Sequence, residues 1–202
     1  MVDTALITGV VLAGGRGLRM GGVDKGLLLY QGTPLALHAL RRLQPQVGNC
    51  MINANRHPDH YAGFGVPVVG DALPDYAGPL AGFAVALRHC TTPWLVTVPC
   101  DSPLFPQDLV VQLAAVVAAG GHDMAMAVAP EADATGTTVL RAQPVFCLMH
   151  TRVLSGLEAF LAQGGRKIDT WASQQPTARV VFDDPRAFLN ANTIAELQAL
   201  PT

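Results

Sequence analysis

Ala5-Leu6-Ile7-Thr8-Gly9-Val10-Val11-Leu12-Ala13-Gly14-Gly15-Arg16-Gly17-Leu18-Arg19-Met20-Gly21-Gly22-Val23-Asp24-Lys25 is the stretch whose reading decides the fold. Residues 5–12 form an almost unbroken apolar run, the pattern of a strand buried on both faces. Directly after it come five glycines and the three cations Arg16, Arg19 and Lys25, all between residues 12 and 25. Glycines let backbone N–H groups approach phosphate oxygens without a Cβ in the way, and the cations can neutralise a triphosphate. Two familiar glycine loops are excluded by spacing. Met20 stands where a dinucleotide fingerprint needs its third glycine, and no G-K-[ST] follows. Taken alone, the loop also fits a surface turn with scattered cations.

Outward from this segment, apolar runs alternate in type. L-L-L-Y at 27–30 and a turn at Gly32 precede a helix opening at Thr33-Pro34 and ending at Leu43, with Thr33 as its cap. Short strands are expected at 50–53 and 66–69, a helix at 80–89 and a strand at 94–98. A helix at 106–119 stops at Gly120-Gly121. Strands at 124–128 and 144–148 flank a soft loop at 131–138. Helices at 152–162 and 166–172, broken at Gly164-Gly165, a strand at 179–182 and a short helix capped by Thr193 complete the chain. Such alternation predicts an α/β fold with a mostly parallel sheet. With no repeat and no linker, residues 1–202 are expected to form a single domain, its nucleotide half near 1–105 and its acceptor half near 106–202.

The chain has 202 residues, half of them apolar, with 13 basic and 15 acidic side chains and a net charge of -2. A long polyanion finds no positive field on such a protein, so nucleic acid is excluded as the expected partner, whereas a small phosphorylated ligand is not. Cys50, Cys90, Cys100 and Cys147 show neither a C-x-x-C pair nor zinc spacing and read as reduced thiols. His57 and His60 have H-x-x-H spacing but no third ligand, and read as loop residues. No apolar run reaches the roughly 20 residues that cross a bilayer. These features predict a cytoplasmic protein with no membrane partner.

W-L-V-T-V-P-C-D at 94–101 delivers Asp101 at the carboxyl end of a strand, where ligands of open α/β sheets bind. Mg²⁺ is commonly held by one or two carboxylates together with substrate phosphates, so a single strand-end Asp beside a phosphate loop is sufficient. Asp101 equally suits a turn cap ahead of the helix at 106.

L-A-G-G-x-G-x-R-M-G-G-x-D-K at 12–25, N-A-N-R at 53–56, G-D at 70–71, G-P-L-A-G at 78–82 and P-C-D at 99–101 together resemble the molybdenum cofactor guanylyltransferases. R-K at 166–167 and F-L-N-A-N-T at 188–193 look like that family's acceptor-side motifs, so the likeness spans most of the chain. The resemblance implies a Rossmann-like three-layer domain of nucleotide-diphospho-sugar-transferase type. It also implies transfer of GMP from Mg-GTP to molybdenum-molybdopterin with release of pyrophosphate. Other cofactor-biosynthesis proteins and molybdoenzyme chaperones would be its protein partners.

Carried over by position, Leu12, Ala13, Gly14 and Gly15 would line the nucleotide site. Lys25 and Arg19 would meet the phosphates, Asp101 would hold Mg²⁺, and Asn53 and Asp71 would contact the nucleoside. Gly82, Arg166, Lys167, Asn190 and Asn192 would serve the acceptor. A carboxylate at Asp71 can accept from guanine N1–H and N2–H, a donor pair that adenine and cytosine lack. From the residues alone, Asp71 also fits a turn, Gly164 to Lys167 a helix-breaking turn, and Asn190 and Asn192 a polar turn leading to Thr193. Related cytidylyltransferases read L-A-A-G where this chain has L-A-G-G, which favours a guanylyl donor. A nucleotide sensor without turnover is the alternative from another class, and it has no need of the Lys25–Asp101 combination.

Overall fold

Why the sheet is parallel around its centre is visible from the first strand. The computed structural model describes residues 2–15, 23–71, 78–133, 135–191 and 193–200. In chain order these give β1 (Ile7–Leu12), the ribbon β2 (Leu29–Tyr30) and β3 (Thr33–Pro34), α1 (Leu35–Leu43), β4 (Asn49–Asn53), α2 (Pro58–Ala62) and β5 (Val68–Val69). There follow α3 (Pro79–His89), β6 (Trp94–Pro99), α4 (Leu109–Ala118), β7 (Met124–Ala132) and β8 (Thr138–His150). α5 (Leu154–Ala162), α6 (Ile168–Ala172), β9 (Thr177–Val181) and α7 (Ile194–Gln198) complete them.

The described residues form a seven-stranded sheet in the order β5-β4-β1-β6-β8-β7-β9. β1 pairs in parallel with both β4 and β6, so it is central, as its apolar run predicts. β8 runs antiparallel to both neighbours, while β9 is parallel to β7. Each strand alternates its side chains between two helical layers. Ile7, Val11, Ile52, Val96 and Val98 face the core beneath α1 and α4. Val10, Met51, Leu95, Met124 and Met149 face the core beneath α3, α5 and α6. The result is a three-layer α/β architecture with a mostly parallel sheet, as expected.

Several sequence expectations shift. Thr33 does not cap α1; it pairs with Tyr30 across the ribbon, and Pro34, whose side chain can make no capping bond, stands at the N-cap. The stretch expected to be a loop at 131–138 is strand at both its ends, 131–132 and 138, and Asp133 tightens the turn between them. Its carboxylate accepts from the backbone N–H of Thr135 at 2.8 Å and of Thr137 at 2.9 Å. β7 and β8 therefore run on as a long hairpin. α6 begins at Ile168 rather than at residue 166, since Lys167 is extended. α2 was not expected; the polar H-P-D-H run hides a helix whose one buried residue is Tyr61. Thr193 does cap α7, in a reciprocal capping box with Glu196.

α4 supplies a direct test of the layering. Leu113 is fully buried beneath the sheet, whereas Val111 on the same helix is 37% exposed. Leu113→Ala is expected to lower the unfolding free energy by about 2–5 kcal/mol, and Val111→Ala by less than about 1 kcal/mol, as read from urea denaturation.

Candidate active site

The carboxyl ends of β4, β1 and β6 finish level. Leu12 lies opposite Asn53 on one side and Pro99 on the other. One residue further on, Ala13 N donates to Asn53 O at 2.8 Å and Cys100 N to Leu12 O at 3.1 Å. The ladder thus carries straight into the glycine loop and into the turn holding Asp101, at the edge where open α/β sheets bind ligands.

Asn53 is 2% exposed, at the end of β4. Its Nδ2 donates to Val69 O at 3.2 Å and to Asp71 Oδ1 at 2.8 Å. Two residues on, Asn55 Nδ2 donates to the other carboxylate oxygen, Asp71 Oδ2, at 2.7 Å. Asn55 Oδ1 accepts from Asp71 N at 2.7 Å. The Asp71 carboxylate is thereby clasped between two amides. Small residues let this clasp approach the loop and α3. A Cβ on Gly82, in the first turns of α3, would sit 2.6 Å from Asn53 Oδ1. A Cβ on Gly14 would press Asn53 Oδ1 and Asn55 Nδ2, each at 3.0 Å. Leu12, Ala13, Gly14, Asn53, Asp71 and Gly82 therefore share one neighbourhood.

Lys25 opens a short 3₁₀ turn, Lys25–Leu27, that returns the chain to the same edge. Its Nζ lies 3.3 Å from Asp101 Oδ2, with both side chains 21% exposed. The base of this turn is Asp24, only 6% exposed. Asp24 Oδ1 accepts from Gly26 N at 3.1 Å and from the Tyr61 hydroxyl of α2 at 2.6 Å. Among the described residues Asp24 Oδ2 is buried with no hydrogen-bond partner. Burial and the bond to Asp24 push the Tyr61 hydroxyl far above its ordinary pKa, so it stays a donor. Arg56 ties the loop together at its mouth, donating from Nη2 to Gly15 O at 3.1 Å and reaching Val23 O at 3.4 Å. The neighbouring Cys100 thiol is likewise pushed up, by burial first and then by the charges of Asp101 and Asp24, which makes it a poor nucleophile.

The C-terminal segment closes against this edge. Ala191 N donates to Asp101 O at 2.7 Å, and the Ser102 hydroxyl donates to Asn190 Oδ1. Asn190 thus stands beside Asp101, although 88 residues separate it from Ser102. Arg166 is differently engaged: its Nη1 donates to Leu161 O at 3.0 Å and to Gly165 O at 2.7 Å, capping the end of α5. Its backbone abuts the start of α3, with Arg166 O 4.0 Å from where a Gly78 Cβ would lie. Lys167 is the extended N-cap of α6 and is exposed. Arg16, Arg19 and Asn192 lie outside the described residues. Asn55, Arg56, Asp24, Tyr61 and Ser102 received no individual role from the sequence. For Asn55 a signal was present, because N-x-N at a strand end puts both amides on one side.

The arrangement offers a paired cation and carboxylate at one end and a fixed two-oxygen acceptor at the other. Among the described residues no group of three or more His, Cys, Asp or Glu is placed to hold a metal. Asp101 is a carboxylate that could hold a cation together with a substrate's phosphates.

Residues 9–178 match the family model for the MobA-like NTP transferase domain. The chain is 60% identical over 205 residues to a molybdenum cofactor guanylyltransferase of Acidovorax ebreus, covering 99% of this chain and 97% of that protein. It is 57% identical to one of Bordetella petrii, covering 100% of both. Among solved structures it resembles molybdopterin-guanine dinucleotide biosynthesis protein A from Archaeoglobus fulgidus, with a TM-score of 0.74, 20% identity and 96% of each chain covered. A 4-diphosphocytidyl-2C-methyl-D-erythritol synthase from Anaerococcus prevotii also superposes with a TM-score of 0.74, at 10% identity, over 98% of this chain and 97% of that one. These two structures bear on the fold.

The Asp24–Tyr61 bond can be tested apart from any reaction. Tyr61→Phe removes the hydroxyl while keeping the ring, leaving the buried Asp24 carboxylate with the Gly26 N–H alone. Denaturant unfolding of that variant is expected to show a loss of about 1–3 kcal/mol.

Proposed function

The chain belongs to the molybdenum cofactor guanylyltransferases, within the MobA-like NTP transferase domain family, and on that premise we propose that it transfers GMP from GTP to the terminal phosphate of molybdenum-molybdopterin. An acceptor phosphate oxygen attacks the α-phosphorus, the bond to the β-phosphate bridging oxygen breaks, and pyrophosphate leaves. The acceptor oxygen arrives already ionised, so the site needs no general base, and catalysis consists of positioning and charge neutralisation.

The observation that carries this reading is the pairing of a clasped Asp71 carboxylate with the Lys25–Asp101 ion pair on one strand edge. Asp71, held by Asn53 and Asn55, presents two acceptor oxygens to the N1–H and N2–H of guanine. Leu12, Ala13, Gly14 and Gly15 form the floor beneath the nucleoside. Gly14 is the position at which L-A-G-G departs from the L-A-A-G of the cytidylyl relatives. A Cβ there would press the two asparagines that hold Asp71, which favours the guanylyl donor.

Lys25 and Asp101 neutralise each other at 3.3 Å, and each has an evident exchange partner in the substrate complex. Lys25, joined by Arg19, turns to the triphosphate and offsets the charge that gathers on the departing pyrophosphate. Asp101, together with the donor phosphates, would hold Mg²⁺, which supplies charge neutralisation at the α-phosphate. Asn190, fixed against Ser102, lies next to Asp101 where an acceptor phosphate would approach. Gly82, Lys167, Arg166 and Asn192 are assigned to the acceptor with it. Donor binding thus falls to residues 1–105 and acceptor binding, Gly82 apart, to 106–202 of one domain. All four cysteines are free thiols, in keeping with the cytoplasm we assign as its setting.

The reading is tested by incubating the protein with Mg²⁺, molybdenum-molybdopterin and each nucleoside triphosphate in turn, measuring pyrophosphate and dinucleotide. Turnover is expected with GTP alone. Turnover with CTP would overturn the donor assignment, and tight GTP binding with no turnover would make the protein a sensor. Asp101→Ala is expected to lower kcat by at least about a hundredfold with unchanged circular dichroism.

A further inference from the structure

The second asparagine of N-A-N-R makes more contacts with Asp71 than the first. Asn55 donates from Nδ2 to Asp71 Oδ2 at 2.7 Å and accepts at Oδ1 from Asp71 N, also at 2.7 Å. This is a two-point clasp across 16 residues of sequence, fixing the main chain and the carboxylate of Asp71 together. A weaker third bond, Nδ2 to Gly14 O at 3.4 Å, ties the same amide to the glycine loop. Asn53 contributes one bond to the carboxylate, and its Nδ2 is shared with Val69 O.

We propose that Asn55 is a specificity-determining positioning residue: it fixes the plane of the Asp71 carboxylate so that its two oxygens meet both guanine donors at once. The inference rests on the assignment of Asp71 to the base. A free carboxylate rotates about its Cβ–Cγ bond and satisfies one donor almost as well as two. One whose oxygens are each pinned by an amide N–H has its remaining acceptor directions set in advance. A base that lacks one of the two donors then leaves the remaining acceptor direction of one oxygen desolvated and unfilled, which is the costly outcome. The geometry uses β4 directly: residues 53 and 55 fall two apart at a strand end, so both amides reach the same carboxylate. Arg56, next in the chain, braces the loop at Gly15 and Val23 and leaves Asn55 free for this task.

Inosine triphosphate is the probe, because hypoxanthine keeps N1–H and lacks the N2 amino group. The ratio of kcat/KM for GTP to that for ITP is measured in the wild type, Asn55→Ala, Asn55→Ser and Asp71→Asn proteins. Asn55→Ala is expected to shrink the GTP/ITP ratio about tenfold, through KM for GTP, with Asn55→Ser intermediate. Should Asn55→Ala lower both donors in proportion, the residue is merely structural and the inference fails. If Asp71→Asn collapses the ratio while both Asn55 variants keep it, the inference alone fails and Asp71 remains the base reader. If Asp71→Asn also leaves the ratio unchanged, the assignment of Asp71 fails and takes the inference with it. Asn55→Ser keeps a hydroxyl at this position and serves as the readout should Asn55→Ala not fold.

Discussion

Everything at the site depends on strand register. Ala13 N to Asn53 O and Cys100 N to Leu12 O carry the β4-β1-β6 ladder one residue past its regular end, so three loops leave the sheet at the same height. A slip of one residue in β1 would turn Val10 and Val11 to the wrong layers and move the glycine loop by more than 3 Å along the sheet. Two separate cores oppose such a slip, since Val11 is committed to one and Val10 to the other. The precision of the site is therefore a property of the apolar residues beneath it.

On that frame the polar groups divide into two stations. At one, amides from β4 and its extension hold a carboxylate still; at the other, a lysine and an aspartate neutralise each other until a charged substrate exchanges with them. The buried Asp24 connects the second station to the fold, because its bonds to Gly26 and Tyr61 set where the Lys25 turn begins. Its second oxygen, buried and with no hydrogen-bond partner among the described residues, lies at the base of the same turn. Small residues perform the opposite service: Gly14 and Gly82 leave room for Asn53 and Asn55 to reach Asp71.

The central strand, the alternation of strands and helices and the Asp at the end of β6 were legible because each leaves a strong local pattern, a long apolar run, a change of period or a run ending in a carboxylate. The Thr33 cap was misread because a two-residue ribbon has too short a pattern to compete with the T-P signature of a helix start. α2 was missed because Tyr61 alone supplies its buried face. Lys25 and Asp101 could be named singly from the sequence, and the structure brings them within 3.3 Å across 76 residues. Ser102 stayed silent for a related reason, and the N-x-N signal of Asn55 named no partner: Asn190 and Asp71 are brought to them only by the folded chain.

A crystal structure of the protein with Mg²⁺ and a non-hydrolysable GTP analogue tests the two-station account most directly. The account predicts the guanine edge on both oxygens of Asp71, the triphosphate between the glycine loop and Lys25, and the metal on Asp101. Guanine seated away from Asp71, or phosphates that leave the Lys25–Asp101 pair intact, would contradict it.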